Sequence, residues 1–432
     1  MRAVVPVIIG LSIRLALAPF FMHAWDMTTI TLATNQFLSA MNPYTYFAQQ
    51  STQLAQTSGL PLPYYGFAYL ATTLVIYAPF YALYTALGFA PIPLIGWQGQ
   101  PGQTLGLVYP DAFYMLFLLK LPVIAADTIA IYLLYRKNGR AGWTYALSPY
   151  VIVITCLWGN FDPLVGVLLF VSYLAFDKSK LGSGFAFGLS MMKIYTIVAA
   201  PAFLISIGRK PRELLAFLGG AVVANAPSIY YIYSNPSSFL SVFVFQASRP
   251  TSGLNIYHSL LAVRSISWEL SLAPIISGIF AVAAGIAVFM VWRFKLELKE
   301  SIILLLLVYL VFAPVANEQL LAALVPLGLI SRNFSHKLTI FPLVFIAFNG
   351  LYLYFATPIF FGSSSLLATF VAVNGWWTSI IGPYATQAQY AIGAAMGVAC
   401  LLLARSTFEG PFKIRWSLTR LEPAPKAPLR GR

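Results

Sequence analysis

Apolar runs of about 20 residues, the length that crosses a bilayer as a helix, recur along this chain with almost no charge inside them. They occupy residues 3–21, 66–88, 112–135, 214–233, 271–292, 338–356 and 385–404. Only 9% of the 432 residues are charged, whereas soluble domains carry about a quarter. The chain therefore reads as an all-α, polytopic integral membrane protein. It divides into one multi-pass domain over residues 1–404 and a basic, disordered cytoplasmic tail over 405–432. The first run holds Arg14 and is followed by no small-residue cleavage site, so it reads as a retained helix. A net charge of +14 would suggest nucleic acid in a soluble protein. Here Lys and Arg cluster between apolar segments, at 136–140, 178–180, 209–212, 293–299 and 332–337. The positive-inside rule accounts for that pattern, so the expected surroundings are membrane lipids and no nucleic acid. Cys156 and Cys400 lie in apolar runs and imply neither a disulfide framework nor a metal site.

Three further apolar stretches are interrupted. Residues 141–176 are cut by Gly159-Asn160-Phe161-Asp162, residues 181–207 carry Lys193 near their middle, and residues 301–330 are cut by Asn317-Glu318-Gln319. If every basic cluster faces the cytoplasm, each stretch becomes a pair of short helices whose polar tip points to the other side. A polar group at each tip suits a cavity lining. The alternative for Lys193 is a snorkelling side chain within a single span. Counting full crossings before Arg136 leaves the side of the N-terminus open. Residues 362–384, with Trp376-Trp377, read as an interfacial or re-entrant segment.

The polar loop after the first run, residues 22–65, has one acid, Asp26, beside His23 and Trp25, and then Asn42-Pro43-Tyr44. A lone carboxylate at a membrane boundary is a candidate catalytic or coupling group. Most other acids sit among basic clusters or in the tail. Asp127, inside an apolar helix, needs a buried partner, for which a helix–helix hydrogen bond suffices. Arg14, in mid-span, must meet a carboxylate or a phosphate. Asp26, Asp162 and Glu318 form the functional shortlist, although Asp162 precedes Pro163 and fits equally well as a helix cap.

The ordered set Asp26; Asn42-Pro43-Tyr44; Lys120-Leu121-Pro122 with Asp127; Ser148-Pro149 leading to Trp158-Gly159-Asn160-Phe161-Asp162; and Met192-Lys193-Ile194-Tyr195 before Pro201 covers about the first half of the chain. It resembles the GT-C superfamily of polyprenyl-phosphate-sugar-dependent glycosyltransferases, in particular the mannosyltransferase branch that includes the first mannosyltransferase of GPI-anchor synthesis. The resemblance implies a bundle of about 10–13 spanning or half-spanning helices with a polar first external loop. It implies a polyprenyl- or dolichyl-phosphate sugar as donor and a lipid- or glycan-linked hydroxyl as acceptor, joined by one inverting displacement on the non-cytoplasmic face. Asp26 would be the general base. Lys193 and Arg249, with His258 and Arg264 behind them, would face the phosphate. Arg14, His23, Trp25, Asn42, Tyr44, Trp158, Asn160, Asp162, Tyr195, Glu318 and Gln319 complete the expected substrate contacts. Members of this family often carry paired acids in the first loop. Trp25-Asp26-Met27-Thr28 offers one carboxylate, a poor divalent site, so no metal and no cofactor is expected. A transporter or flippase of lipid-linked sugars is the rival reading, since it too needs polar groups in broken helices.

Overall fold

The structure, a computed structural model, describes residues 3–49, 67–89, 111–240, 252–254, 266–331, 334, 336–355 and 364–419. Helix dominates it, and the strand content among the described residues is one two-residue parallel pair, Ser252–Gly253 (β1) with Val315–Ala316 (β2).

Helix α1, Val4–Leu17, buries Pro6, Gly10 and Arg14, one narrow stripe at four-residue spacing. Its other side chains include the exposed Val4, Val5, Ile8 and Ile9, an apolar surface suited to lipid. Helix α2, Ala24–Leu38, follows a short link and begins directly after His23. Next come α3, Thr72–Ala86, and α4, Ala112–Lys137. Helix α5, Gly139–Ala146, leads to α6, Pro149–Ile152, whose start is fixed by Pro149 at its first position and by the Ser148 hydroxyl accepting from the Val151 amide. A π turn, Val153–Trp158, continues α6 and ends at Gly159. Helix α7, Asp162–Ala175, restarts three residues on and is buried on most sides.

Helix α8, Lys180–Ser190, ends before Lys193, and a 3-10 turn, Ile194–Ala199, runs into α9, Ala200–Ile207. Helices α10, Pro211–Ala224, and α11, Ala226–Ser234, follow. Helix α8 packs tightly on α10: a Cβ at Gly184 would overlap the Phe217 carbonyl, and one at Gly220 the Leu181 carbonyl. The remaining helices are α12, Ile266–Phe294; α13, Leu298–Phe312; α14, Val325–Gly328, preceded by the 3-10 turn Glu318–Ala323; α15, Ile340–Phe355; and α16, Ser364–Thr419.

Among the described residues three helical stretches are long and apolar enough to cross a membrane: Phe113–Lys137, Pro274–Phe294 and Gln387–Ser406. Two bent pairs, Gly139–Ala146 with Pro149–Trp158 and Pro211–Ala224 with Ala226–Ser234, raise the number to five. This is fewer than the seven uninterrupted spans read from hydropathy. The runs over 66–88 and 338–356 yield described helices of only 15 and 16 residues, and two more runs are cut short or bent. The run over 3–21 yields a helix that stops at Leu17. The run over 214–233 bends by 66° where Asn225 precedes Pro227, which withholds an amide from the helical ladder. Where 362–384 was expected to dip and 405 to begin an irregular tail, α16 runs on from Ser364 to Thr419; its Ala- and Leu-rich stretch from 385 favours helix, and Pro383 and Pro411 do not break it. Residues 420–432 lie outside the described residues. The face of α12 bearing Ile275, Ile279, Val282, Ile286, Phe289 and Trp292 is exposed, a continuous apolar surface fit for a hydrocarbon environment.

Candidate functional site

The break between α6 and α7 builds the site. The π turn gathers two amides on one acceptor, since Gly159 N–H and Asn160 N–H both donate to the Ile154 carbonyl (3.1 and 3.0 Å). Gly159 then takes φ +79°, a left-handed conformation in which any Cβ is strained. A Cβ there would also lie 2.8 Å from both Met27 Sδ and Lys120 Cε. The turn projects Trp158 and Asn160 toward the start of α2. The two segments are tied by the His23 amide donating to the Trp158 carbonyl at 2.7 Å.

Asp26 stands where they meet. Its Oδ2 accepts from Trp158 Nε1 at 2.7 Å and Asn160 Nδ2 at 3.0 Å, and lies 3.0 Å from His23 Nδ1. Its Oδ1 accepts from the Tyr69 hydroxyl at 3.1 Å. The network continues through Asn160 Oδ1, which accepts from Lys193 Nζ (3.1 Å) and from the Asp162 amide (2.9 Å). Lys193 Nζ reaches Asp162 Oδ2 at 2.6 Å, and the Tyr195 hydroxyl donates to Asp162 Oδ1 at 2.6 Å. The ammonium also lies 4.7 Å from the Phe161 ring centroid. The result is a buried chain, Asp26, Asn160, Lys193, Asp162, in which a neutral amide and one ammonium link two carboxylates. Each ion has its partners, as burial of charge requires.

Burial alone would raise the Asp26 pKa, but the neighbouring His23, Lys193 and the Trp158 N–H outweigh it and hold the carboxyl well below the usual carboxylate range. The His23 ring packs tilted on Trp158, centroids 4.6 Å apart. Its Nδ1 lies 3.3 Å from the Asp26 amide as well as 3.0 Å from the carboxylate. One nitrogen cannot accept from the first and donate to the second. An unprotonated Nδ1 would set its lone pair against an anionic oxygen, so Nδ1–H donating to Asp26 is the arrangement electrostatics selects.

Of the residues singled out in the sequence, Asp26, His23, Trp158, Asn160, Asp162, Lys193 and Tyr195 come together here. Arg14 does not. Its Nε meets Asp127 Oδ2 at 2.7 Å and its Nη1 donates to the Gly10 and Ala146 carbonyls. Asp127 also accepts from Tyr145 (2.6 Å) and Thr155 (2.8 Å). Arg14 and Asp127 are both fully buried, so Arg14 is corrected from a substrate contact to a clamp joining α1, α4, α5 and the π turn. Asn42 is corrected likewise: its Oδ1 accepts the Tyr44 and Thr45 amides, capping a helical segment over 43–49. Tyr44 is buried among Phe67, Tyr231 and Phe239 with its hydroxyl on the Tyr69 carbonyl; it supports the Tyr69 segment and faces no open site. Glu318 and Gln319 are buried in the 3-10 turn before α14, where the Glu318 carbonyl accepts from Tyr150. The Trp25 side chain, Arg249, His258 and Arg264 lie outside the described residues. Among the described residues no group of three metal-ligating side chains converges.

One contributor, Tyr69, carried no usable sequence signal, and another, Lys120, belonged to the resembling set without a role assigned to it. Tyr69 sits in an aromatic, apolar stretch where nothing marks one hydroxyl over another. Lys120 is fully buried, and its ammonium donates to the carbonyls of Ala18, Phe21 and Cys156. It binds the α1–α2 link to the π turn, and so sets Asp26 against Trp158.

No family model matches the chain, and no curated protein or solved structure matches it either.

Proposed function

We propose that this chain is a membrane-embedded, inverting glycosyltransferase that moves a hexose, with mannose as the first choice, from a polyprenyl- or dolichyl-phosphate to a lipid- or glycan-linked hydroxyl. One observation carries the proposal. The residues on which the sequence resemblance rests come from separate segments, around 26, 158–162 and 193–195, yet they are hydrogen-bonded into one cluster at helix breaks. In this reading the acceptor hydroxyl approaches the His23–Asp26 end and loses its proton as it attacks the anomeric carbon. Lys193 supplies positive charge toward the phosphate as it leaves. Trp158 and Asn160, nearly or wholly buried, hold Asp26 and do not stack on a sugar. The non-cytoplasmic placement of the reaction belongs to the same proposal.

The depth of the cluster favours one alternative. Asp26, Asn160, Asp162 and Lys193 are all at or below 7% exposed, as a coupling site in a transporter of lipid-linked sugars would be. Turnover separates the two. Purified protein in detergent would be given radiolabelled dolichyl-phosphate-mannose and a membrane lipid extract. New labelled glycolipid from the wild type, lost in Asp26→Asn with folding retained, supports the transferase. Labelled-lipid movement that needs a sealed vesicle, with no new glycosidic bond in detergent, supports the transporter.

A further inference from the structure

Three buried hydroxyls beside the acid cluster have no hydrogen-bond partner among the described residues: Thr34 on α2, and Thr73 and Tyr77 on α3. None is more than 1% exposed. Two neighbouring threonines show the ordinary solution. Thr31 donates to the Met27 carbonyl one turn earlier, and Thr72 to the Ala224 carbonyl. A buried hydroxyl left unpaired costs stability that valine or phenylalanine in its place would not. Thr73 and Tyr77 lie one turn apart on the buried face of α3, the helix that packs on α2. The Tyr77 ring meets the edge of Phe161, centroids 6.1 Å apart, and Phe161 stands between Asn160 and Asp162 in the break before α7. The carboxylates that act on the Tyr77 hydroxyl are Asp26 and Asp162, and neither accepts its proton.

We propose that Tyr77 is a sugar-reading residue, whose hydroxyl bonds a hydroxyl of the hexose when the donor lipid occupies the site, with Thr73 and Thr34 as further hydroxyl contacts. The proposal rests on the transferase reading and deepens it by placing the sugar, as distinct from the phosphate, at the α2–α3 seam. Charge decides between the two halves of the donor. Two carboxylates act on this position, and they repel an anionic phosphate but not a neutral polyol. A hexose hydroxyl can accept from a protein hydroxyl and donate onward to a carboxylate at the same time. Parting the seam loses no hydrogen bond at these three positions, and an entering polyol makes up to three. Unpaired hydroxyls at the seam thus trade stability of the fold for recognition, as functional sites do.

Tyr77→Phe removes the hydroxyl and keeps the ring. Detergent-purified wild type, Tyr77→Phe and Thr73→Val are titrated with three radiolabelled probes: dolichyl phosphate, dolichyl-phosphate-mannose and dolichyl-phosphate-glucose. Thermal melting is followed without lipid probe. The wild type should bind one of the two sugar-bearing lipids more tightly than dolichyl phosphate. Tyr77→Phe should lose roughly tenfold of that advantage, about one hydrogen bond, with its affinity for dolichyl phosphate unchanged. Thr73→Val should change in the same direction. The melting midpoint of Tyr77→Phe should equal or exceed that of wild type, because no bond within the protein is lost. A lower midpoint shows that the hydroxyl is bonded inside the fold and overturns the proposal. An equal loss for all three lipids, no loss for any, or a wild type that does not distinguish the sugar-bearing lipids overturns it too. Binding is read without turnover, so the two readings fail separately. Mannosyl transfer by the wild type with sugar discrimination intact in Tyr77→Phe removes Tyr77 and leaves the transferase standing. Discrimination lost in Tyr77→Phe, with no transfer by the wild type, keeps Tyr77 as a sugar ligand and removes the transferase.

Discussion

Replacing Asp127 by Asn should cost this fold more than any change at the lipid-facing surface. The carboxylate accepts from Arg14, Tyr145 and Thr155, all without exposure to solvent. Asn keeps the shape and removes the charge, stranding a fully buried guanidinium. Breaking a buried pair from one side costs about 3–5 kcal/mol. With an unfolding entropy of ~2.1 cal/mol/K per residue over 432 residues, that corresponds to a thermal midpoint lower by about 3–6 °C. Arg14→Met should cost less, about 2 kcal/mol, because the Tyr145 and Thr155 hydroxyls still serve the carboxylate. The double variant Arg14→Met/Asp127→Asn should then be more stable than Asp127→Asn alone, with a coupling of about 3 kcal/mol, which exceeds the cost of Arg14→Met by itself. Melting of the four proteins in one detergent, followed by tryptophan fluorescence, reads the whole cycle. Strict additivity, or a midpoint for Asp127→Asn within a degree of wild type, would refute the pairing. Mannosyl transfer by the double variant tests the other half of the argument, since a clamp can be replaced by neutral packing and a phosphate contact cannot.

Two further outcomes follow from the site. Gly159→Ala places a Cβ in a left-handed conformation, at roughly 1–2 kcal/mol, and against Met27 and Lys120; transfer activity should fall more than the melting midpoint does, and wild-type activity would show that the turn tolerates a Cβ. Asp26 has a folded-state pKa below its unfolded value, so its stabilisation is complete above the unfolded carboxylate range, ~4, and is lost as pH falls through the folded value. The melting gap between wild type and Asp26→Asn should therefore shrink as pH falls below about 4; a gap that persists undiminished in strong acid contradicts the assignment.

Hydropathy located most of the helices because apolar runs and helices share a length scale. It misjudged where they stop. The run over 214–233 looks unbroken until Pro227 is weighed against the amide it withholds, and 362–384 looked like a dip although its breakers are too sparse to end a helix. Polar residues in apolar surroundings were the better guide to the site: Asp26, Asn160, Asp162 and Lys193 were each conspicuous, and the fold brings them together.

What the sequence withheld was partnership. Arg14 and Asp127 each announced a need for an opposite charge, yet nothing in a separation of 113 positions says that each answers the other, so Arg14 could be read as waiting for a phosphate. Lys120 shows the same ambiguity in its strongest form. A buried ammonium suggests a carboxylate partner, and this one has three backbone carbonyls, groups that every residue carries and no sequence pattern marks. Those carbonyls belong to the end of α1, the start of the α2 link and the π turn, the segments whose meeting creates the His23–Asp26–Trp158 arrangement. Lys120 acts through them without touching the site. A substitution there should therefore disturb the proposed reaction by misplacing His23 and Trp158, so that the chain's most visible acid depends on a charge whose partners no sequence pattern marks.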